Sequence, residues 1–289
     1  IRQAFIVDNS DYKISKFLQK IFNDIGLYTI QLFHNDRPDW EKCPPEPIGS
    51  GVLLEYKGKC HIISAAHVVQ PYATGQKRNP YSDENDYEDP KESKLSLENI
   101  GFYSDGFYYP LRHVVFTNID NPIEYNVDLA VIPLDDETAC ELRGAKKHFV
   151  KNSCISINHS MTSESRYFVY GFPAEWSDLK SDKIISRPLE MNTKGFFVEE
   201  GINLRYDPRY NIFIEYNPSK LVCTQSDGKL NLSSPKGISG CGLWYYNKSC
   251  QLVLVGIMTE NKLESDSLPV MMATRIEEVI YIMNKYNDN

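Results

Sequence analysis

The sequence has no apolar run approaching the ~18 residues that a helix needs to cross a bilayer, so no membrane span is expected. Positive charge is in the minority. There are 31 Lys and Arg against 39 Asp and Glu, and the net charge of −8 argues against nucleic acid as a partner. The seven cysteines, Cys43, Cys60, Cys140, Cys154, Cys223, Cys241 and Cys250, form no regular framework and include no C-x-x-C pair. An odd count without such spacing points to reduced thiols in a cytoplasm rather than to secreted disulfides. No Cys or His pair shows ligand spacing, so neither a metal nor another cofactor is expected. Internal repeats and low-complexity tracts are lacking. No signal peptide is expected from the opening residues, and the sequence begins at Ile1 rather than at methionine.

What is present favours strands. Of 289 residues, 42% are hydrophobic and 12% aromatic, with 19 tyrosines, enough for a substantial core of β-prone side chains. The opening segment is helical. Ile14, Phe17, Leu18, Ile21, Phe22 and Ile25 form one apolar stripe, with Ser10 or Asp11 as cap and Gly26 as stop. This helix is expected to pack on a barrel, and the sharper alternative is a docking helix for a partner or for a lost neighbouring domain. A first strand is read over Tyr28 to Phe33, and two further strands meet at a Lys57-Gly58 turn. From Pro71 to Ser96 the chain is polar and without periodicity, a long surface excursion. Its acidic stretch Asp83 to Asp89 lacks EF-hand spacing and reads as a solvated loop. The charged segment Asp135 to Lys147 reads as a helical crossover, and Ile276, Val279, Ile280 and Met283 mark a closing helix.

Three short motifs carry chemistry. In Lys236-Gly237-Ile238-Ser239-Gly240-Cys241-Gly242, a serine sits where glycines let the backbone turn sharply and approach a substrate carbonyl. Its hydroxyl needs a base to take its proton and N–H donors to meet the oxyanion. His67 ends the stretch Ser64-Ala65-Ala66-His67, whose small residues leave room beside an imidazole. Asp128 opens the apolar run Leu129-Ala130-Val131-Ile132, where a carboxylate is costly unless something pairs with it. Orienting a histidine ring is one such use. His34, His61, His113, His148 and His159 have no comparable setting, and His61 is expected to face solvent by strand alternation.

Taken in order, Ser-Ala-Ala-His, Asp-Leu-Ala-Val-Ile and Gly-x-Ser-Gly resemble the chymotrypsin-fold (trypsin-like) serine peptidases. The order His, Asp, Ser is that family's, here with separations of 61 and 111 residues. Val169-Tyr170-Gly171-Phe172-Pro173 and Leu254-Val255-Gly256-Ile257 extend the likeness, which runs from about Ile48 to Ile257. It is nearest to intracellular bacterial trypsin-like peptidase domains, which often act as effectors inside larger stress or defence proteins. The resemblance implies an all-β fold of two antiparallel six-stranded β-barrels, with terminal α-helices added. It divides the chain into a helical extension (1–27), a first barrel with His67 and Asp128 (28–140) and a second barrel with Ser239 (141–289). It further implies a Ser239-His67-Asp128 triad hydrolysing peptide bonds of a protein or peptide substrate, and an oxyanion hole from the N–H groups of Gly237 and Ser239. Thr259 is similar to the hydroxyl residue that supports the aspartate. The alternative is a non-catalytic protein-binding module on the same fold.

The chain also departs from the family. Many secreted members carry, just before the serine, an aspartate that binds a newly freed N-terminal ammonium. Ile238 stands there and makes no such pair, so activity is expected without cleavage before Ile1, and control to come from a regulatory protein, attached domain or oligomer. Ser233 occupies the position where Arg/Lys-specific relatives place aspartate, and Asn261 is the other pocket candidate. Cys241 is the rival nucleophile, because viral relatives use cysteine in a Gly-x-Cys-Gly context. Here Ser239 precedes it by two residues, and the frame favours the serine.

Overall fold

A computed structural model describes residues 9–35, 45–73, 99–104, 107–116, 127–162, 164–180, 183–197, 207–216, 237–265 and 268–287. The expected acidic loop, Ser233 and Ile1 lie outside them. Among the described residues no helix is long and apolar enough to cross a membrane.

Among the described residues, two large curled antiparallel sheets and a separate two-stranded hairpin make up the β structure. The first contains β1 (Thr29–His34), β2 (Glu46–Tyr56), β3 (Lys59–Ser64), β4 (Ile100–Ser104), β5 (Phe107–Pro110), β6 (Val115–Phe116) and β7 (Ala130–Pro133), in the order β5-β4-β1-β2-β3-β7-β6. The seventh strand beyond the six expected is the two-residue β6. Lys57 (φ 49°) and Gly58 (φ 78°) are both left-handed, as a two-residue type I′ hairpin requires, so the predicted turn joins β2 to β3. β3 pairs with β7 so that Ser64 faces Ala130. In an antiparallel pair, the chain leaving β3 towards His67 and the chain entering β7 from Asp128 emerge at the same end. Local pairing therefore brings together two residues 61 apart in sequence.

The second sheet holds β8 (Arg166–Gly171), β11 (Leu189–Lys194), β12 (Asn211–Glu215), β13 (Gly242–Tyr246), β14 (Leu252–Ser265) and β15 (Leu268–Arg275), ordered β11-β8-β13-β14-β15-β12. A bridge between Gly195 and Ile214 draws its two edges together. A separate hairpin, β9 (Ser177–Lys180) and β10 (Lys183–Ser186), is held to the first sheet by Gln31. That amide donates to the Ser177 hydroxyl (2.8 Å) and accepts from the Ser186 hydroxyl.

Among the described residues there are also four α-helices: α1 (Asn9–Tyr28), α2 (Ala66–Ala73), α3 (Asp136–Gly144) and α4 (Ile276–Asn287). Asp135 caps α3 by accepting the N–H of Thr138 at 2.7 Å. The expected domain boundary at 140 falls within this helix, whose Ala139 and Leu142 pack into the first sheet's core. A second apolar cluster joins Ile21, Phe22 and Ile25 of α1 and Ile276, Val279 and Met283 of α4 to Val52 and Leu54 of the first sheet and Phe168, Trp244 and Ile257 of the second. Both terminal helices thus pack on the sheets, and the two sheets share a core.

Three local readings are corrected. Gly26 does not stop α1, which runs on to Tyr28. Gly26 admits the Tyr170 ring, whose Cζ lies only 3.1 Å from where a Cβ would stand. The Lys147 ammonium meets the helix end instead, donating to the carbonyls of Gly26 (2.9 Å) and Thr29 (2.7 Å). His61 does not face solvent. It is 4% exposed, on the same face of β3 as Ile63, and that face is covered by the cluster shared between the sheets. Alternation marks a wet face only where one side of a sheet is uncovered. Finally, the excursion read from Pro71 to Ser96 starts as helix over its first three residues, 71–73, and its remainder up to Ser96 lies outside the described residues. Those three residues end α2, which carries His67 in its first turn and keeps Pro71 within its eight residues.

Candidate active site

The Asp128 carboxylate grips His67 twice. One oxygen accepts the backbone N–H of His67 at 2.9 Å, and the other takes the ring Nδ1 in a short contact. The Ala66 N–H also donates to the Asp128 carbonyl (3.3 Å), so the start of α2 is tied to the strand entering β7. An ionised carboxylate only accepts, so the proton of a neutral imidazole in this contact lies on Nδ1, and Nε2 is the basic nitrogen. Both side chains are partly exposed, 34% and 24%, as groups lining a cleft would be.

Ser239 sits on a tight turn at the entrance to β13. The Cys241 N–H donates to the Ile238 carbonyl at 3.0 Å, and Gly240 has φ +90°. That combination is a type II turn, whose third residue must be left-handed, and glycine supplies it without strain. Reciprocal backbone bonds, Gly240 N–H to the Met258 carbonyl (2.7 Å) and Met258 N–H to the Cys241 carbonyl (2.8 Å), fasten the turn to β14.

The same turn is seated against the first sheet. The Ser239 carbonyl accepts the Ser50 N–H at 3.0 Å. A Cβ on Gly240 would stand 2.0 Å from the Ser50 carbonyl oxygen, so only glycine fits there. A Cβ on Gly49 would meet Val68 at 2.6 Å and the Ser239 carbonyl at 3.2 Å. The residue following His67 and the nucleophile candidate therefore converge on one glycine of β2. Gly237, at φ +96°, fits against Phe172 to Ala174, with 2.4 Å between its Cβ position and the Ala174 nitrogen. Among the described residues neither the Gly237 nor the Ser239 N–H donates to a protein acceptor, which is the state an oxyanion hole needs.

Cys241 is fully buried beside Gly171, and burial pushes its thiol far above the ordinary range. A thiol held protonated is a poor nucleophile. Ile238 is also fully buried, among Val169, Leu243 and Cys241. Thr259 is buried in β14 and accepts a hydrogen bond from the Thr274 hydroxyl at 3.4 Å, whereas the described partners of the Asp128 carboxylate both belong to His67. Asn261 lies on β14, and Ser233 lies outside the described residues. His159 is buried with Nε2 2.7 Å from the Tyr167 hydroxyl, and burial lowers its pKa to about 4. Among the described residues no three His, Cys, Asp or Glu side chains converge as a metal site would need.

Sequence reading missed Ser50. It is fully buried, and its hydroxyl accepts from the Phe172 N–H (2.9 Å) and donates to the Gly237 carbonyl (3.1 Å). The signal available was a small polar residue between two glycines, Gly49-Ser50-Gly51, within a strand otherwise read as apolar. No protein-family model matches the chain, and a search of curated proteins likewise returns no match.

Proposed function

We propose that this chain is a serine endopeptidase acting through Ser239, His67 and Asp128. The observation that carries the reading is the double grip of Asp128 on His67 beside a serine turn seated on Gly49 and Ser50. In this reading His67 Nε2 takes the Ser239 proton as Oγ attacks a peptide carbonyl, and the same nitrogen returns a proton to the leaving amine. Water then hydrolyses the acyl-enzyme by the same exchange. Asp128 fixes the ring tautomer and stabilises the imidazolium. The Gly237 and Ser239 N–H groups receive the oxyanion, each such donor contributing about 3 kcal/mol in the transition state. These steps call on no cofactor.

The chymotrypsin-like fold family, a cytoplasmic bacterial setting and control by a partner or attached domain belong to the same proposal. The buried Ile238 supports the last of these, because an apolar core side chain offers nothing to an N-terminal ammonium. The test is labelling by a fluorophosphonate probe in wild type, Ser239→Ala and Cys241→Ala. Labelling is expected in wild type and Cys241→Ala and absent in Ser239→Ala. Folded wild type that shows no Ser239-dependent labelling, with candidate activators present, would favour the non-catalytic binding module. Loss in Cys241→Ala with retention in Ser239→Ala would move the nucleophile to the thiol.

A further inference from the structure

Resting on the peptidase reading, we propose that Ser50 is the residue that positions the oxyanion loop, holding it in register with the histidine from the opposite sheet. Ser50 lies on β2 and is fully buried. Each of its polar groups is committed. Its N–H donates to the Ser239 carbonyl (3.0 Å), and its hydroxyl donates to the Gly237 carbonyl (3.1 Å) and accepts from the Phe172 N–H (2.9 Å). Its carbonyl accepts the Ser64 hydroxyl at 2.8 Å.

The consequence is geometric. The two donors of the oxyanion hole are the N–H groups of Gly237 and Ser239, and Ser50 holds the carbonyls of both residues. The short segment between them is therefore pinned at each end, and Gly237 keeps its left-handed φ of +96° against the Phe172–Ala174 backbone. Through Ser64, three residues before His67, the same residue is bonded to the chain that delivers the base. A hydroxyl is needed because the site demands a donor to one loop and an acceptor from another in a space that excludes water. Alanine would leave the Phe172 N–H and the Gly237 carbonyl buried and unpaired. Ser50 touches no reacting atom; it acts through Gly237 and Ser239.

The experiment compares wild type, Ser50→Ala, Ser50→Thr and Ser239→Ala in three measurements. These are the second-order rate of fluorophosphonate labelling across pH, thermal melting, and amide hydrogen exchange of the Gly237–Cys241 segment. Ser50→Ala is expected to label at least ~10-fold more slowly, because a displaced oxyanion donor is felt in the transition state. The pH midpoint set by His67 should not move, since the base itself is untouched. Exchange at Gly237–Cys241 should accelerate selectively, and Ser50→Thr, which keeps the hydroxyl, should recover most of the rate. A folded Ser50→Ala that labels at the wild-type rate, or whose exchange rises uniformly across both sheets, overturns the positioning role. If wild type shows no Ser239-dependent labelling, the peptidase reading is what fails, and the exchange comparison still decides whether Ser50 holds the loop.

Discussion

Replacing Asp128 by asparagine tests the catalytic reading at its most specific point. The two carboxylate oxygens face two different groups, the backbone N–H of His67 at 2.9 Å and the ring Nδ1. The backbone group can only donate, so the asparagine must turn its carbonyl oxygen towards it. Its NH₂ then points at the ring, where it needs an acceptor. Nδ1 becomes that acceptor, the ring proton moves to Nε2, and the nitrogen meant to deprotonate Ser239 no longer can. Both hydrogen bonds survive, so stability should change little while the rate collapses. A misassigned tautomer in a triad lowers kcat by about 10⁴, which corresponds to about 5.5 kcal/mol of lost transition-state stabilisation. The assay is the rate of fluorophosphonate labelling at neutral pH, with thermal melting as a control for folding. An Asp128→Asn protein that melts like wild type and labels within ~10-fold of it would refute the tautomer argument, and with it the role given to Asp128.

Two further outcomes follow from the packing. Burial holds His159 near pKa 4, below the ~6.5 of an unfolded histidine, so the unfolded chain binds the extra proton. That contribution is fully present above pH 6.5 and is lost as pH falls towards 4. Between pH 6.5 and 5 it amounts to about 1.5 kcal/mol. Denaturant titrations should show a shallower acid slope for His159→Gln than for wild type, and equal slopes would sink the assignment. Ile25 of α1 is fully buried in the cluster shared by the sheets, whereas Phe17 is 48% exposed against Tyr246. Ile25→Ala should therefore lower unfolding free energy by about 3 kcal/mol and Phe17→Ala by less than about 1 kcal/mol. A reversed ranking would mean that the stripe of α1 is misplaced.

The residues that sequence made legible are those whose signal is local. His67, Asp128 and Ser239 each lie in a run of a few residues whose small side chains, apolar flanks or glycines announce the setting, and the antiparallel β3–β7 pair brings the first two together. The Lys57-Gly58 turn was readable for the same reason. What escaped depends on partners distant in the chain. The Ser50 hydroxyl finds its two partners 122 and 187 residues away, and nothing in Gly49-Ser50-Gly51 names them. His61 was misread because its outward face exists only if the second sheet is ignored. Gly26 read as punctuation because a glycine near a helix end resembles a stop. Its actual purpose, admitting Tyr170, is visible only once β8 is in place.

The apolar cluster that unites Val52, Leu54, Phe168, Trp244, α1 and α4 has a consequence for control. It makes the two sheets a single rigid chassis, since any hinge that parted them would wet side chains now wholly dry. In the peptidase reading, an on–off transition therefore belongs to the loops that meet at the seam, Gly237–Cys241 and Phe172–Trp176. A regulator, in that reading, need only shift a backbone segment by an ångström or two, with the halves that carry His67 and Ser239 left where they are.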